Sequence, residues 1–221
     1  MPSSKLIYRN HCIETILNIK KDEKPSLLLH ACCGPCSCYP LTFLCPHFKV
    51  TIFYSNSNIA PLSEYERRLD ELKKFLLVFK RDYGYDVSLI VPSFEGETFI
   101  KELSPFSQEP EGGKRCALCY ELRLKATADY ALSHNFAYFA TVMTVSRQKD
   151  AVLLNSIGDS LASTRPGLIY LPSDFKKERG IDVSQQMRIH YGLYSQSYCG
   201  CPFSLLNKGQ YRGTKDKDWQ G

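Results

Sequence analysis

Residues 26–38 read "SLLLHACCGPCSC". The first six form a short apolar run, the signature of a strand buried on both faces of a sheet. The run stops where Cys32, Cys33, Cys36 and Cys38 begin. The same unit, a short apolar strand followed by a polar or reactive segment, recurs along the chain. "FKVTIFYS" (48–55), "DVSLIVP" (86–92), "FAYFATVM" (136–143) and "GLIYLP" (167–172) read as four more strands. Helices are predicted between them at 61–84, 97–103, 115–135 and 146–163, with another at 182–191. The segment at 61–84 is the strongest: Pro61 suits a first turn, Leu62, Tyr65, Leu69, Leu72 and Phe75 or Leu76 fall on one stripe, and Gly84 stops it. Such alternation predicts an α/β fold, a mostly parallel sheet covered by helices.

Residues 1–206 are expected to form a single α/β domain with a cysteine-rich C-terminal segment, and 207–221 a polar tail. In open parallel sheets, ligands gather at the carboxyl ends of the strands. The cysteines after the first strand, "YSNSN" (54–58) after the second and "TVSRQK" (144–149) after the fourth should therefore share one rim.

Composition narrows the function classes. Hydrophobic residues make up 43% of the 221 and charged residues 23%, which is ordinary for a soluble globular chain. No apolar run approaches the roughly 18–20 residues a membrane span needs, and "MPSSKLIYRNHCIE" lacks a signal-peptide core, so the expectation is a cytoplasmic protein with no membrane partner. The formal net charge of +5 suits a polyanionic partner. Ten cysteines without an export signal point to metal binding or redox work rather than a disulfide scaffold.

Their grouping carries the chemistry. Cys116 and Cys119, at CxxC spacing on the first turns of a helix, offer two thiolates to one metal or cluster, and the helix dipole there favours the thiolate. Two more ligands are needed, and the first group provides them as Cys32 with Cys33 or Cys33 with Cys36. A closed zinc site, a thioredoxin-like dithiol at Cys33–Cys36 and an iron–sulfur cluster all remain open on spacing alone. "YCGC" (198–201) is different: one glycine between Cys199 and Cys201 makes a tight, easily reduced ring if the sulfurs join, or a clamp for a metal ion if they do not.

Four motifs, "HACCGPC" (30–36), "YSNSNIAPLSEYERR" (54–68), "RCALCYELRL" (115–124) and "SYCGC" (197–201), occur in an order and at separations that resemble the cobalamin-independent epoxyqueuosine reductases. The resemblance spans residues 26 to 203 and implies a nucleotide-hydrolase-like α/β fold. It implies reduction of epoxyqueuosine to queuosine at the wobble position of tRNA anticodons with a [4Fe-4S] cluster. By position, the cluster ligands would be Cys32, Cys33, Cys116 and Cys119, and Cys199 and Cys201 the redox-active pair. Cys36, Cys199 and Cys201 are also candidates for an additional iron. Arg147 stands where the resemblance calls for proline, which leaves Lys149 less firmly matched. The implied partners are the epoxyqueuosine-bearing tRNA and an electron donor that the sequence does not identify. Lys114, Arg115, Arg123 and Lys125, with tail lysines 208, 215 and 217, are the candidate phosphate contacts. The other classes left open are a zinc-stapled RNA-binding domain and a sulfur-transferring tRNA-modifying enzyme. The second would need a glycine- and serine-rich ATP loop where "CCGPCSC" stands.

Overall fold

The computed structural model describes residues 6–206. Helix α1 (Ile7–Leu17) precedes strand β1 (Ser26–His30), which runs into α2 (Gly34–Leu44) and β2 (Lys49–Phe53). Then follow α3 (Leu62–Tyr83), β3 (Ser88–Ile90), α4 (Gly96–Leu103) and α5 (Lys114–Ser133). The chain continues through β4 (Tyr138–Thr141), α6 (Ala151–Ser163), β5 (Ile169–Tyr170), α7 (Gly180–His190) and α8 (Pro202–Leu206). The expected tail at 207–221, and with it lysines 208, 215 and 217, lies outside the described residues.

The five strands are all parallel, in the order β3-β2-β1-β4-β5, as the alternation predicts. β1 is central, with Leu29 opposite Ile52 on one side and Ala140 on the other. Its side chains alternate between faces. Leu27 and Leu29 join Leu41 and Leu44 of α2 and Phe75 and Phe79 of α3. Leu28 points the other way, to Phe53, Phe139, Tyr170 and the α5 alanines 128 and 131. Burying a leucine in this way is worth about 2 kcal/mol, so the three at 27–29 anchor the sheet and fix where the cysteines emerge.

Several features depart from the sequence reading. It predicts neither helix α1 nor a helix over the cysteine run, which is the start of α2: Cys33 is its N-cap, Pro35 sits in the first turn where no N–H is needed, and Pro40 lies inside. The buried stripe of α3 is Tyr65, Arg68, Leu72, Phe75 and Phe79, while Leu62 is half exposed at 51%. An arginine thus occupies a core position of the longest helix. Gly84 does end that helix, in the left-handed conformation at φ 75°.

Asn155 on α6 ties the far side of the sheet to the rim. Fully buried, it donates to the carbonyls of Ala151 (2.6 Å) and Ser173 (2.9 Å) and accepts from the Ser173 N–H (2.9 Å). The Ser173 hydroxyl in turn meets that of Thr144 (3.0 Å), in the segment that leads to Lys149. Asn155→Ala strands two backbone groups of Ser173, at roughly 1–3 kcal/mol each. Thermal unfolding of the variant should come at least about 4 °C below wild type; an unchanged Tm contradicts this role.

Candidate metal and redox centre

Strand β1 ends at His30, and the chain turns at once into α2. That turn, together with the N-cap conformation of Cys33 and the placement of Cys36 within the first helical turn, gathers three thiols: the sulfurs of Cys32, Cys33 and Cys36 all lie within 4.8 Å of one another. The Cys32 and Cys33 sulfurs are 3.9 Å apart. Two thiolates on one tetrahedral ion, with metal–sulfur bonds of about 2.3 Å, would sit roughly 3.8 Å apart, so the triad has the spacing of a single-ion clamp. The protons are unequally shared. Hydrogen bonds from Cys33 and Cys36 hold Cys32 well below the usual thiol range, helped by Lys149 and Arg123. The same bonds push Cys33 well up, and Cys36 to about 12.

Cys116 and Cys119 lie on the first two turns of α5, both buried. The dipole argument fails for them: burial dominates, raising Cys116 and pushing Cys119 up to about 12. Both feel the charges of Cys199 and Cys201, so the CxxC and CGC pairs are electrostatic neighbours. Among the described residues, no set of three potential ligands that includes either pair lies within the 4.8 Å of the first triad. Cys38 is fully buried, with its thiol donating to the Gly34 carbonyl (3.5 Å) and pushed up by burial, a packed bystander. Burial likewise pushes Cys12 and Cys45 up to about 12.

Two cations lie among these thiols. Arg123, 2% exposed, donates from Nη2 to Asn56 Oδ1 (2.6 Å) and from Nε to His30 Nε2 (3.2 Å). Asn56 passes the connection to the Ala31 carbonyl (2.8 Å), so α5, β2 and β1 meet through one guanidinium. His30, fully buried, is lowered to about 3 by burial and by Arg123. It is therefore neutral, with Nε2 accepting and Nδ1–H facing the Thr141 hydroxyl (2.9 Å). Burial acts to lower Arg123 and Lys149, yet the charges of Cys119, Cys32 and Cys199 on the first, and of Cys199, Cys32 and Cys36 on the second, hold both above their usual values. Among the described residues, neither forms an ion pair with a carboxylate; Glu111 senses Lys149 only at longer range.

The CGC loop has its own brace, which sequence reasoning missed. Arg68, 1% exposed, donates to the carbonyls of Cys199 (3.0 Å) and Tyr198 (3.1 Å) and to Glu64 (2.7 Å). The Tyr194 hydroxyl donates to the same carboxylate (3.2 Å), and the Ala60 N–H to the Gly200 carbonyl (2.9 Å). Gly200, at φ 117°, has no substitute: a Cβ there would lie 2.9 Å from Arg68 Nη1 in a backbone region L residues avoid. Glu64 pairs with Arg68, one helical turn on, and Arg67 stacks on the Tyr194 ring (3.6 Å). The sequence signal was available, in that position 68 falls on the apolar stripe.

The candidate phosphate contacts divide. Arg115 and Arg123 are 2% exposed and committed inside; Arg115 donates to the carbonyls of Phe106, Ser107 and Glu109. Neither can reach a phosphate. Lys114 and Lys125 are exposed, and Lys125 pairs with Asp129 (2.9 Å).

A parallel α/β sheet whose rim gathers the Cys32–Cys33–Cys36 triad, with Arg123 and Lys149 beside Cys32, Cys36, Cys119 and Cys199, defines a cysteine-rich α/β protein with a candidate metal site. The model of the family "Epoxyqueuosine reductase QueH" matches residues 27–207, and the chain belongs to that family. A relative of that description from Staphylococcus epidermidis is 38% identical over 212 residues, covering 95% of this chain and 89% of its own. One from Staphylococcus aureus is 39% identical over 188 residues, covering 84% of this chain and 78% of its own. Among solved structures, the U34-tRNA thiolase NcsA from Methanococcus maripaludis with its [4Fe-4S] cluster aligns at a TM-score of 0.45 and 12% identity, covering 94% of this chain and 72% of that one. That likeness is too slight to bear on this chain's chemistry. No described helix is long and apolar enough to cross a membrane.

Arg68→Met keeps the bulk and removes the fork that holds the CGC loop. Alkylation of Cys199 in the metal-free reduced protein should speed up at least about fivefold, with Cys38 still protected; Arg68→Lys should restore the brace only in part, because it lacks the planar fork. Equal alkylation rates in all three proteins would remove Arg68 from this role.

Proposed function

We propose that the chain reduces epoxyqueuosine to queuosine at the wobble position of tRNA anticodons, with a [4Fe-4S] cluster on Cys32, Cys33, Cys116 and Cys119 and a redox-active pair at Cys199 and Cys201. Family membership supports the reaction, and one observation supports a thiolate-bound metal group: among the described residues, two buried cations without a carboxylate partner, Arg123 and Lys149, are held charged by the neighbouring Cys32, Cys36, Cys119 and Cys199. An unpaired charge in such a place costs several kcal/mol. Four thiolates on a [4Fe-4S]2+ core carry a net charge of about −2, which two cations would balance. The donor set therefore fits the group.

Removing the epoxide oxygen breaks two C–O bonds, leaves an alkene and takes two electrons and two protons to make water. Closing the Cys199 and Cys201 thiols into a disulfide releases two electrons and two protons, so the exchange balances within the site. An external donor then returns the disulfide to the dithiol. The cluster, when bound, supplies one-electron transfer and an oxophilic iron. The chain's own part is to keep Cys199 and Cys201 at the rim through Arg68, and to hold a proton on Lys149, whose ammonium stays charged beside Cys199. Neutral His30 fixes Arg123 rather than moving a proton.

The 3.9 Å spacing of Cys32 and Cys33 favours one alternative occupancy, a single iron at the Cys32–Cys33–Cys36 clamp in place of the cubane. Iron and sulfide analysis separates the cases: about four of each per chain for a cubane, and about one iron without sulfide for the clamp, that iron lost in Cys36→Ser.

The central test incubates anaerobically reconstituted protein and a strong reductant with epoxyqueuosine-containing tRNA, followed by nucleoside mass analysis. Wild type should yield queuosine. Cys199→Ser and Cys201→Ser should each lose at least about 100-fold in turnover while the absorption near 400 nm persists. Serine at Cys32, Cys33, Cys116 or Cys119 should remove that absorption. A loaded wild-type protein that leaves epoxyqueuosine unchanged would falsify the assignment, and absorption that is absent despite bound zinc would replace the cluster with a staple.

A further inference from the structure

A cavity of about 750 Å³ opens beside the redox loop, and nothing in the chemistry above uses it. Its walls come from three segments. Arg147 projects from the stretch after β4, two residues before Lys149. Arg179 caps α7, and Arg188 lies on its last turn. Ser195 follows α7, four residues before Cys199. Gln185 and Gln186 add amides, and Asp182 is the one acidic side chain in the wall.

The charges are available to a ligand. Arg147 and Arg179 are exposed and Arg188 is half-buried. The contact of Arg179 with Asp182 is a loose 3.8 Å between two exposed groups, worth little in water. Arg188 donates only to the Gln185 amide (3.2 Å) among the described residues, and no described carboxylate pairs with Arg147. The groove therefore holds a net positive charge beside the site where a nucleic-acid base would react. By contrast, two of the arginines that sequence alone offered for this task are sealed in the interior.

We propose that this groove seats the sugar–phosphate backbone of the tRNA on one side of the nucleotide being reduced, with Arg147, Arg179 and Arg188 each engaging a phosphate. The proposal rests on the reading of the chain as an epoxyqueuosine-tRNA reductase and adds where the tRNA is held. From Arg179 to Arg188 is nine residues, about 14 Å along the helix axis, more than one phosphate step on a strand rising about 3.4 Å per nucleotide. Guanidinium forks match phosphate oxygens two at a time, and the glutamines suit ribose hydroxyls. Backbone contacts of this kind position the strand and carry no sequence preference.

The test compares wild type, the triple variant R147Q/R179Q/R188Q and the control Lys20→Gln/Lys21→Gln, which lies before β1 at the opposite, amino-terminal edge of the sheet. Each reconstituted protein is titrated with epoxyqueuosine-containing tRNA by fluorescence anisotropy between ~50 and ~200 mM salt. In the triple variant the Kd should rise at least about tenfold. The slope of log K against log salt should flatten by about 2, since each lost single-strand phosphate contact removes roughly 0.7. A triple arginine-to-lysine variant should recover most of the slope, and the control should match wild type. Retained absorption near 400 nm shows that the variant is folded and loaded. A triple variant with wild-type Kd and slope overturns the proposal, as does one that binds tRNA normally but turns over slowly, which would assign the groove to an acidic electron-donor protein. Failure of wild type itself to reduce the tRNA would instead strike the functional reading.

Discussion

A guanidinium that never meets water organises this molecule. Arg123 leaves α5, reaches under the carboxyl rim of the sheet and is held there by His30 of β1 and by Asn56 after β2. Among the described residues no carboxylate pairs with it, and the charges that hold it are those of Cys119, Cys32 and Cys199. The neutral form of His30, the tie from Asn56 to the Ala31 carbonyl and the approach of α5 to β1 all follow from satisfying one buried fork. Lys149 repeats the pattern from the other side of the rim. A hydrophobic substitute at either place would pack, yet it would leave a thiolate assembly without counter-charge.

The division of labour between segments follows from how firmly each is held. The thiols of Cys32, Cys33 and Cys36 ride on the junction of the central strand with a helix. Cys116 and Cys119 ride on a helix of 20 residues. Cys199 and Cys201 instead sit on a loop, which suits the alternation between dithiol and disulfide proposed for them. That loop is kept in place by hydrogen bonds to its carbonyls, from Arg68 and the Ala60 N–H, while the Cys201 sulfur accepts from the Ser204 N–H (3.4 Å). Main-chain bracing fixes where the thiols are without fixing what they do.

Much of this was legible in the sequence because it depends on local rules. Strand–helix alternation gave the parallel sheet, and cysteine spacing gave the groups that converge on its rim. What stayed hidden depends on tertiary context. Helix α2 was obscured because Gly34, Pro35 and Pro40 all read as breakers, although a first-turn proline fits a helix and packing of Leu41 and Leu44 carries the rest. Helix α1 has no clear apolar stripe to find. Arg68, Arg115 and Arg123 read as surface charges, since no pattern in one sequence says which arginine will find three carbonyls or a buried amide. The dipole argument for Cys116 and Cys119 lost to burial, a quantity fixed only when the other helices close over them.

The contact between Arg68 and the Cys199 carbonyl joins residues 131 positions apart. Closing loops of that length is entropically unfavourable until the intervening sheet and helices have formed, so the centre is among the last things to exist as the chain folds. A truncated or misfolded chain can keep strand β1 and its three clustered thiols and still lack the opposing wall. For the proposed donor set this makes a checkpoint: only a chain synthesised through residue 201 and folded around its sheet presents all of those cysteines to incoming iron.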